Sequence, residues 1–361
     1  MHRRLVSIGN LYLVNLRWFS SMSYYVSKAR TFEWMRTHDS ALQAEFKRSS
    51  FVVFIDQNPL LRRFASSGYA LPLIPHENLS KLGATLGFAI DNDSSALVDV
   101  TPMQGGTNDT NEEFLPVFAL NIRSSTFTNA DPKHVESVFN GELVDLRRAM
   151  FLINEPTSLQ LLAKSQALLR WVHNTKFCTR CAGPLQLKFS KASATCKTCV
   201  KEYHPSISPV AITLITNDKN DHALLVRQPR HPAGMYTAVA GFTELGEPLE
   251  NTVRREIAEE VGLDVDTIKY AGMSQPWPFP QMSLMCGFHA TVQGLPEPQI
   301  DTAELEAAGW FTRAEVANAF QNSLKLQTYP SSTECQSTAR ISLVPPPGAL
   351  AHDLIKAWIS E

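Results

Sequence analysis

Apolar residues recur at every fourth position at Leu249, Val253, Ile257 and Val261, and charged residues fill many of the positions between them. That period predicts a helix with one buried stripe. Pro248 suits its first turn and Gly262 its stop, giving about thirteen residues. The flanking pattern is of another kind. "SPVAITLIT", "HALLVRQP" and "GMYTAVAGF" before the helix, and "SLMCGFHATV" after it, are β-rich runs, with turns at "NDKND" and "RHPAG". "AAGWF" and a short helix from Thr312 follow. Strands on both sides of a central helix predict a mixed sheet sandwiched by helices.

Upstream, "PTSLQLLAKSQALLRWVHNTKFC" reads as a helix. Pro156 suits its first turn, and Leu159, Leu162, Ala163, Gln166 and Leu169 keep helical spacing. From about residue 31 to 150, apolar runs such as "SSFVVFID" and "LLRRFA" alternate with polar stretches. They predict a small mixed α/β or mainly β domain with a mobile loop near residues 105–113. One segment fits neither period. "SQPWPFPQ", residues 274–281, places three prolines among Trp277 and Phe279. Proline lacks an amide hydrogen and fixes φ, so a stiff loop outside any sheet or helix is expected. Its aromatic rings are either packed or offered to a flat ligand.

A chain of 361 residues exceeds one ordinary core, which implies two or three domains. With 44% apolar and 19% charged residues it reads as globular. A formal net charge of −2 gives no global reason to expect nucleic acid or anionic membrane as the main partner. No apolar run approaches the ~20 residues that span a bilayer, so no membrane partner is expected. The first thirty residues differ: they hold Arg3, Arg4, Arg17, Lys28 and Arg30, several serines and no acid. A basic, acid-free, amphipathic start has the composition of a mitochondrial transit peptide; a basic first helix of the folded domain is the alternative.

Four of the six cysteines are paired by spacing, as Cys178-Thr-Arg-Cys181 and Cys196-Lys-Thr-Cys199. Two such knuckles supply the four tetrahedral thiolates that Zn²⁺ prefers, so a structural zinc ribbon is expected. With four ligands filled, no position is left for a catalytic water. "LQLKFSKASATC" between the pairs alternates like a short hairpin strand. Cys286 and Cys335 stand alone.

Glu256, Glu259 and Glu260 lie at i, i+3 and i+4 and project together beside the apolar stripe. A solvated acidic face is the bland interpretation. Clustered carboxylates also suit hard divalent cations that bridge phosphate oxygens and lower the pKa of an attacking water.

The stretch "GFTELGEPLENTVRREIAEEVGL" resembles the signature of the Nudix hydrolases at every fixed position: Gly241, Glu247, then Arg255 through Leu263. "SQPWPFP" beyond it, and a four-cysteine ribbon before it, are similar to the NADH pyrophosphatase branch of that family. The resemblance implies an α/β/α sandwich with a mixed sheet over 207–361. A ribbon over 171–206, a small α+β domain over 31–170 and a leader over 1–30 would precede it. It implies Mg²⁺- or Mn²⁺-dependent hydrolysis of the pyrophosphate of NADH or NAD⁺ to AMP and nicotinamide mononucleotide, by a mitochondrial matrix homodimer. Glu256 and Glu260 would be metal ligands, Glu259 a further ligand or the base orienting water, and Arg255 and Glu247 their supports. The carbonyl of Ala240 and the carboxylate of Glu304 would complete the metal set, with Glu306 as a rival to Glu304. The substrate run would be Gln275, Pro276, Trp277, Pro278, Phe279, Pro280, Gln281, Met282 and Ser283, joined by Phe242, Met285 and Ala351. Lys191 and His204 depart from that branch, which has an acid and a tyrosine there, and Met282 reads as an inserted residue. The ribbon region is basic in places (Arg180, Lys188, Lys191, Lys197 and Lys201). A second reading is therefore ribbon-assisted RNA binding with removal of NAD caps from RNA.

Overall fold

The computed structural model describes residues 23–64, 68–103, 113–153, 155–279, 281–325 and 340–361. Most of the expected leader, residues 105–112 of the expected loop, Pro280 and Cys335 lie outside them. The chain divides into two compact units at Pro205/Ser206.

In the first unit, strands β1 (Ser50–Ile55), β2 (Asn58–Phe64), β3 (Gly68–Ala70), β4 (Ile74–Pro75), β5 (Ser95–Pro102), β6 (Phe114–Ile122) and β7 (Glu142–Leu143) form one sheet. Its order is β3-β2-β1-β6-β5, with β4 on β1 and β7 on β2. Helices α1 (Tyr24–Thr37) and α6 (Pro156–Asn174) pack on β5. Between them in sequence come α2 (Asp39–Glu45), α3 (His76–Leu86), α4 (Pro132–Phe139) and α5 (Leu146–Leu152). The start of α6 follows its sequence: Pro156 needs no partner for a missing amide, and the Glu155 carboxylate accepts from the N–H groups of Thr157 and Ser158. Helix α1 begins at Tyr24, inside the stretch assigned to the leader, and Lys28 pairs with Asp99 at 2.6 Å.

Strands β8 (Leu185–Leu187), β9 (Ala194–Cys196) and β10 (Glu202–Tyr203) form the small sheet that carries the cysteines. The ribbon is continuous with the first unit. Phe189, in the β8–β9 loop, packs against the core of the large sheet, and its N–H donates to Asp39 Oδ2 at 3.0 Å.

The second unit holds β11 (Ser208–Asn217), β12 (His222–Arg227), β13 (Val239–Phe242), β14 (Thr267–Trp277), β15 (Ser283–Val292) and β16 (Ala307–Thr312). They form a mixed sheet of order β14-β15-β11-β12-β16, with β13 beside β11. β11 and β15 run parallel and the remaining pairs antiparallel. Alternate residues of β11 and β12 serve two cores. Ala211, Ile215, Leu224 and Val226 meet α7 (Leu249–Val261), while Ile212, Leu214, Ala223 and Leu225 meet α8 (Arg313–Leu324) and α9 (Leu350–Ile359). The expected sandwich is present.

The proline-rich segment departs from expectation. Its first half continues β14, with Ser274, Gln275, Pro276 and Trp277 paired in register to Cys286, Met285, Leu284 and Ser283. Among the described residues of the segment, Pro278, Phe279 and Gln281 lie beyond the strand. The physical reason is position: β14 ends the sheet order, and an edge strand tolerates a missing donor that a central strand would not.

Candidate functional site

Helix α7 has the length and limits its period predicts, running from Leu249 to Val261 with Gly262 left-handed at φ 66°. Its three glutamates are not equivalent. Glu259 is 59% exposed, whereas the Glu256 side chain is 13% exposed and Glu260 is buried with the apolar stripe.

Arg255 organises them. Its Nε donates to Glu247 Oε1 (3.0 Å), and Nη1 donates to Glu256 Oε1 (2.8 Å) and Glu259 Oε2 (2.9 Å). Nη2 donates to Glu247 Oε2 (2.9 Å) and to the Phe242 carbonyl (2.7 Å). Every guanidinium N–H is used, so the fork locks helix, loop and β13 together. Glu247 also accepts from the Glu244 N–H and the Thr252 hydroxyl; the Arg255 bond, above all, holds its carboxyl down at about 2.

Glu260 and Glu256 are pushed the other way. Burial raises the Glu260 carboxyl to about 8, and Glu256, Glu304, Asp301 and Glu259 add to it in that order. Burial likewise raises Glu256 against the pull of Arg255, with Glu259 and Glu304 contributing. Glu304 thus contributes to the field at both inward carboxylates, while Glu306 pairs with Arg227. A buried acid whose electrostatic neighbours are all acids, and which has no ion pair among the described residues, is in surroundings that suit a divalent cation.

Gly241 is where helix and sheet meet. A Cβ built there would lie 1.8 Å from the Glu256 carboxyl carbon and 1.9 Å from one of its oxygens. The glycine is required by this close approach. Gly241→Ala is expected to displace Glu256 and lower kcat by about a hundredfold or more, with binding of the folded protein to a nucleotide less affected. Wild-type kcat in the variant would contradict the geometry.

On the opposite face of the sheet, one row of paired residues runs Gln275–Met285–Val210–Phe242 across β14, β15, β11 and β13. Three strand spacings, about 14 Å, separate its ends. Trp277 and Ser283 pair one step outward along that face, and the Trp277 and Phe279 rings meet edge-on with centroids 5.4 Å apart. Phe242 is exposed and Met285 half-buried. Gln275 is bound within the protein: its Nε2 donates to the Gly348 carbonyl (2.6 Å), and its Oε1 accepts from the Leu350 N–H (3.0 Å). It thereby fixes the start of α9. Ala351, in that helix, is buried in the core, so its side chain is packing. Gln281 is exposed and Ser283 buried. Met282 takes a left-handed φ of 53°, and its carbonyl accepts from the Ser208 N–H, so it forms the turn into β15.

Two supports went unread in the sequence. Thr252 is fully buried, and its hydroxyl reaches both Glu247 and Thr243. Asp301 adds charge beside Glu260 and places the Glu304 loop, its N–H bonding the Glu260 carbonyl and its own carbonyl accepting from the Glu304 N–H. Only the three-residue spacing of Asp301 and Glu304 hinted at a shared turn.

In the first unit, the Sγ atoms of Cys178, Cys181, Cys196 and Cys199 lie within 4.8 Å of one another, and all four are free thiols. The residue after each knuckle, Ala182 or Val200, is left-handed. Tyr203 Oη sits 3.0 Å from Cys178 Sγ and draws that thiol down to about 6. This donor set fits Zn²⁺ as a closed structural site. Lys191, at one departing position, is buried, and with the Asn92 amide turned over its Nζ donates to the Asn92 oxygen at 2.8 Å, so it is an internal tie of this unit. His204, at the other, is exposed.

A NUDIX domain model matches residues 207–330. The chain is 36% identical over 345 residues to the NAD-capped RNA hydrolase ndx-9 of Caenorhabditis elegans, covering 93% of this chain and 90% of that one. It is 37% identical over 339 residues to the mitochondrial NAD(P)H pyrophosphatase NUDT13 of Mus musculus, covering 94% and 92%. It is 38% identical over 237 residues to the NAD-capped RNA hydrolase NudC of Mycobacterium bovis, covering 66% and 70%. With near-full-length likeness to such relatives and a complete signature around Arg255 and its glutamates, the chain belongs to the Nudix hydrolase family.

Proposed function

We propose that this protein is an NAD(H) diphosphatase, which adds water across the pyrophosphate of NADH or NAD⁺ to give AMP and nicotinamide mononucleotide. The observation that carries this reading is the junction at Gly241. There the Arg255-bound carboxylates of α7 come up against β13, whose next residue, Phe242, ends the row that runs to Gln275. A bound Mg²⁺ or Mn²⁺ would neutralise phosphate charge and acidify water. Glu256, Glu260 and Glu304 would hold it, Glu259 would orient or deprotonate the attacking water, and Arg255 would keep these groups in register. Trp277 and Phe242, rigid rings at the same end of the sheet, would flank the bases of a dinucleotide. The NAD(P)H pyrophosphatase named among the relatives supports the substrate class.

Chromatography after incubation with NADH, NAD⁺ and ADP-ribose and either metal tests the reading. AMP from NADH is expected, and no AMP from any of them rejects it. Glu304→Gln should lower kcat by about tenfold to a hundredfold, while Glu306→Gln should leave it near the wild-type value. The reverse order would exchange their roles.

A mitochondrial location rests on the basic leader and on the mitochondrial relative; loss of import on deleting residues 1–22 would test it. No helix among the described residues is long and apolar enough to cross a membrane. A homodimer is the expected assembly, checked by light scattering. The second reading, release of NAD caps from RNA, is supported by the names of two relatives and by the basic ribbon.

A further inference from the structure

From Pro156 to Lys201 the chain carries eight Lys or Arg and no Asp or Glu, although its overall charge is close to balanced. A zinc ion with four thiolates offsets only part of that excess. The cysteine knuckles concentrate it. Lys176, Arg180, Lys197 and Lys201 are exposed, and none of them is ion-paired among the described residues. The nearest acid, Glu202, is already engaged by Ser193 and Lys188.

Beside these cations stand two exposed apolar side chains, Phe177 (68%) and Val200 (75%). Backbone contacts fix their placement. Phe177 pairs with Pro184, whose carbonyl accepts from the Lys197 N–H at 3.0 Å, so ring and ammonium sit on adjoining chain segments. Lys201 lies over the Tyr203 ring at 5.0 Å, and Tyr203 Oη reaches Thr179, in the knuckle that also carries Arg180. A solvated basic face needs no exposed phenylalanine. A phosphate-binding face alone needs none either.

We propose that the two cysteine knuckles form a binding site for single-stranded RNA, with the Phe177 ring stacking a base and Lys176, Arg180, Lys197 and Lys201 holding the phosphates. Rigid aromatic platforms among cations recognise single strands with little regard to sequence. The site deepens the second reading above, since it would grip the RNA body of a capped substrate. It does not depend on the diphosphatase activity itself.

The test is fluorescence anisotropy of the zinc-loaded full chain with an uncapped twelve-nucleotide oligouridylate, against salt. Four phosphate contacts predict a log K against log [salt] slope of about −3. Phe177→Ala should weaken binding by about five- to a hundredfold with the slope kept, while Lys197→Glu with Lys201→Glu should flatten the slope. NADH hydrolysis and zinc content should stay at wild-type values in both. Should Phe177→Ala lose zinc, Phe177→Tyr, which keeps the ring, is expected to bind normally. Affinity indifferent to both variants would overturn the proposal, as would binding to anionic phosphatidylserine vesicles in place of RNA. Loss of NADH hydrolysis in the wild type would count against the diphosphatase reading alone.

Discussion

Glu260→Gln is expected to lower turnover by about a hundred- to a thousandfold and, in chelator, to make the protein more stable. The two effects share one cause. Glu260 is buried among Glu256, Glu304, Asp301 and Glu259, which with burial lift its carboxyl from 4.5 to about 8. An acid raised on folding supports the folded state below its unfolded pKa and withdraws that support as pH rises toward the folded value. Metal-free wild type should therefore lose stability from about pH 4.5 to 8, and Mg²⁺ or Mn²⁺ should restore it. Glutamine keeps the volume without the charge, so the variant should show a weaker pH dependence and little gain on adding metal. Melting curves at pH 6 and pH 8, with and without metal, measure this beside kcat. Full activity in the variant, or a lower melting point in chelator at pH 8, would contradict the arrangement.

Cys196→Ser is expected to open the ribbon. Its strands β8, β9 and β10 are two or three residues long, too short to hold together by pairing alone. Cys196 is buried, accepts from the N–H groups of Thr198 and Cys199, and lies 3.5 Å from Cys181. Removing one thiolate should release zinc and cost several kcal/mol of local stability. New tryptic cleavage at Arg180, Lys188 and Lys197 should accompany a fall in bound zinc. Retained zinc with unchanged cleavage would show that the thiols are not its ligands.

Helix α7 was legible to within its caps because a four-residue period, a proline and a glycine all agree there. The ten-residue run from Ser283 to Val292 and the helix start at Thr312 were equally plain, since local pattern and tertiary burial coincide. What the sequence concealed depends on distant neighbours. Spacing put three glutamates on one face, but only packing separates exposed Glu259 from buried Glu260. Gln275 looks like a ligand contact by motif, yet its amide closes on a turn more than seventy residues away. Lys191 looks like surface charge and is an internal tie. Pro276 reads as a strand breaker until the sheet order makes β14 the last strand.

That edge position has a bearing on how the protein behaves at high concentration. An open strand of eleven residues invites another chain to add to it, which is a common route to fibrils. β14 is interrupted twice: by the irregularity between Tyr270 and Ser274, and by the missing donor of Pro276. The segment proposed to face a dinucleotide therefore also guards the sheet, and replacing Pro276 by valine in pursuit of a tidier strand would exchange solubility for an aggregation-prone border.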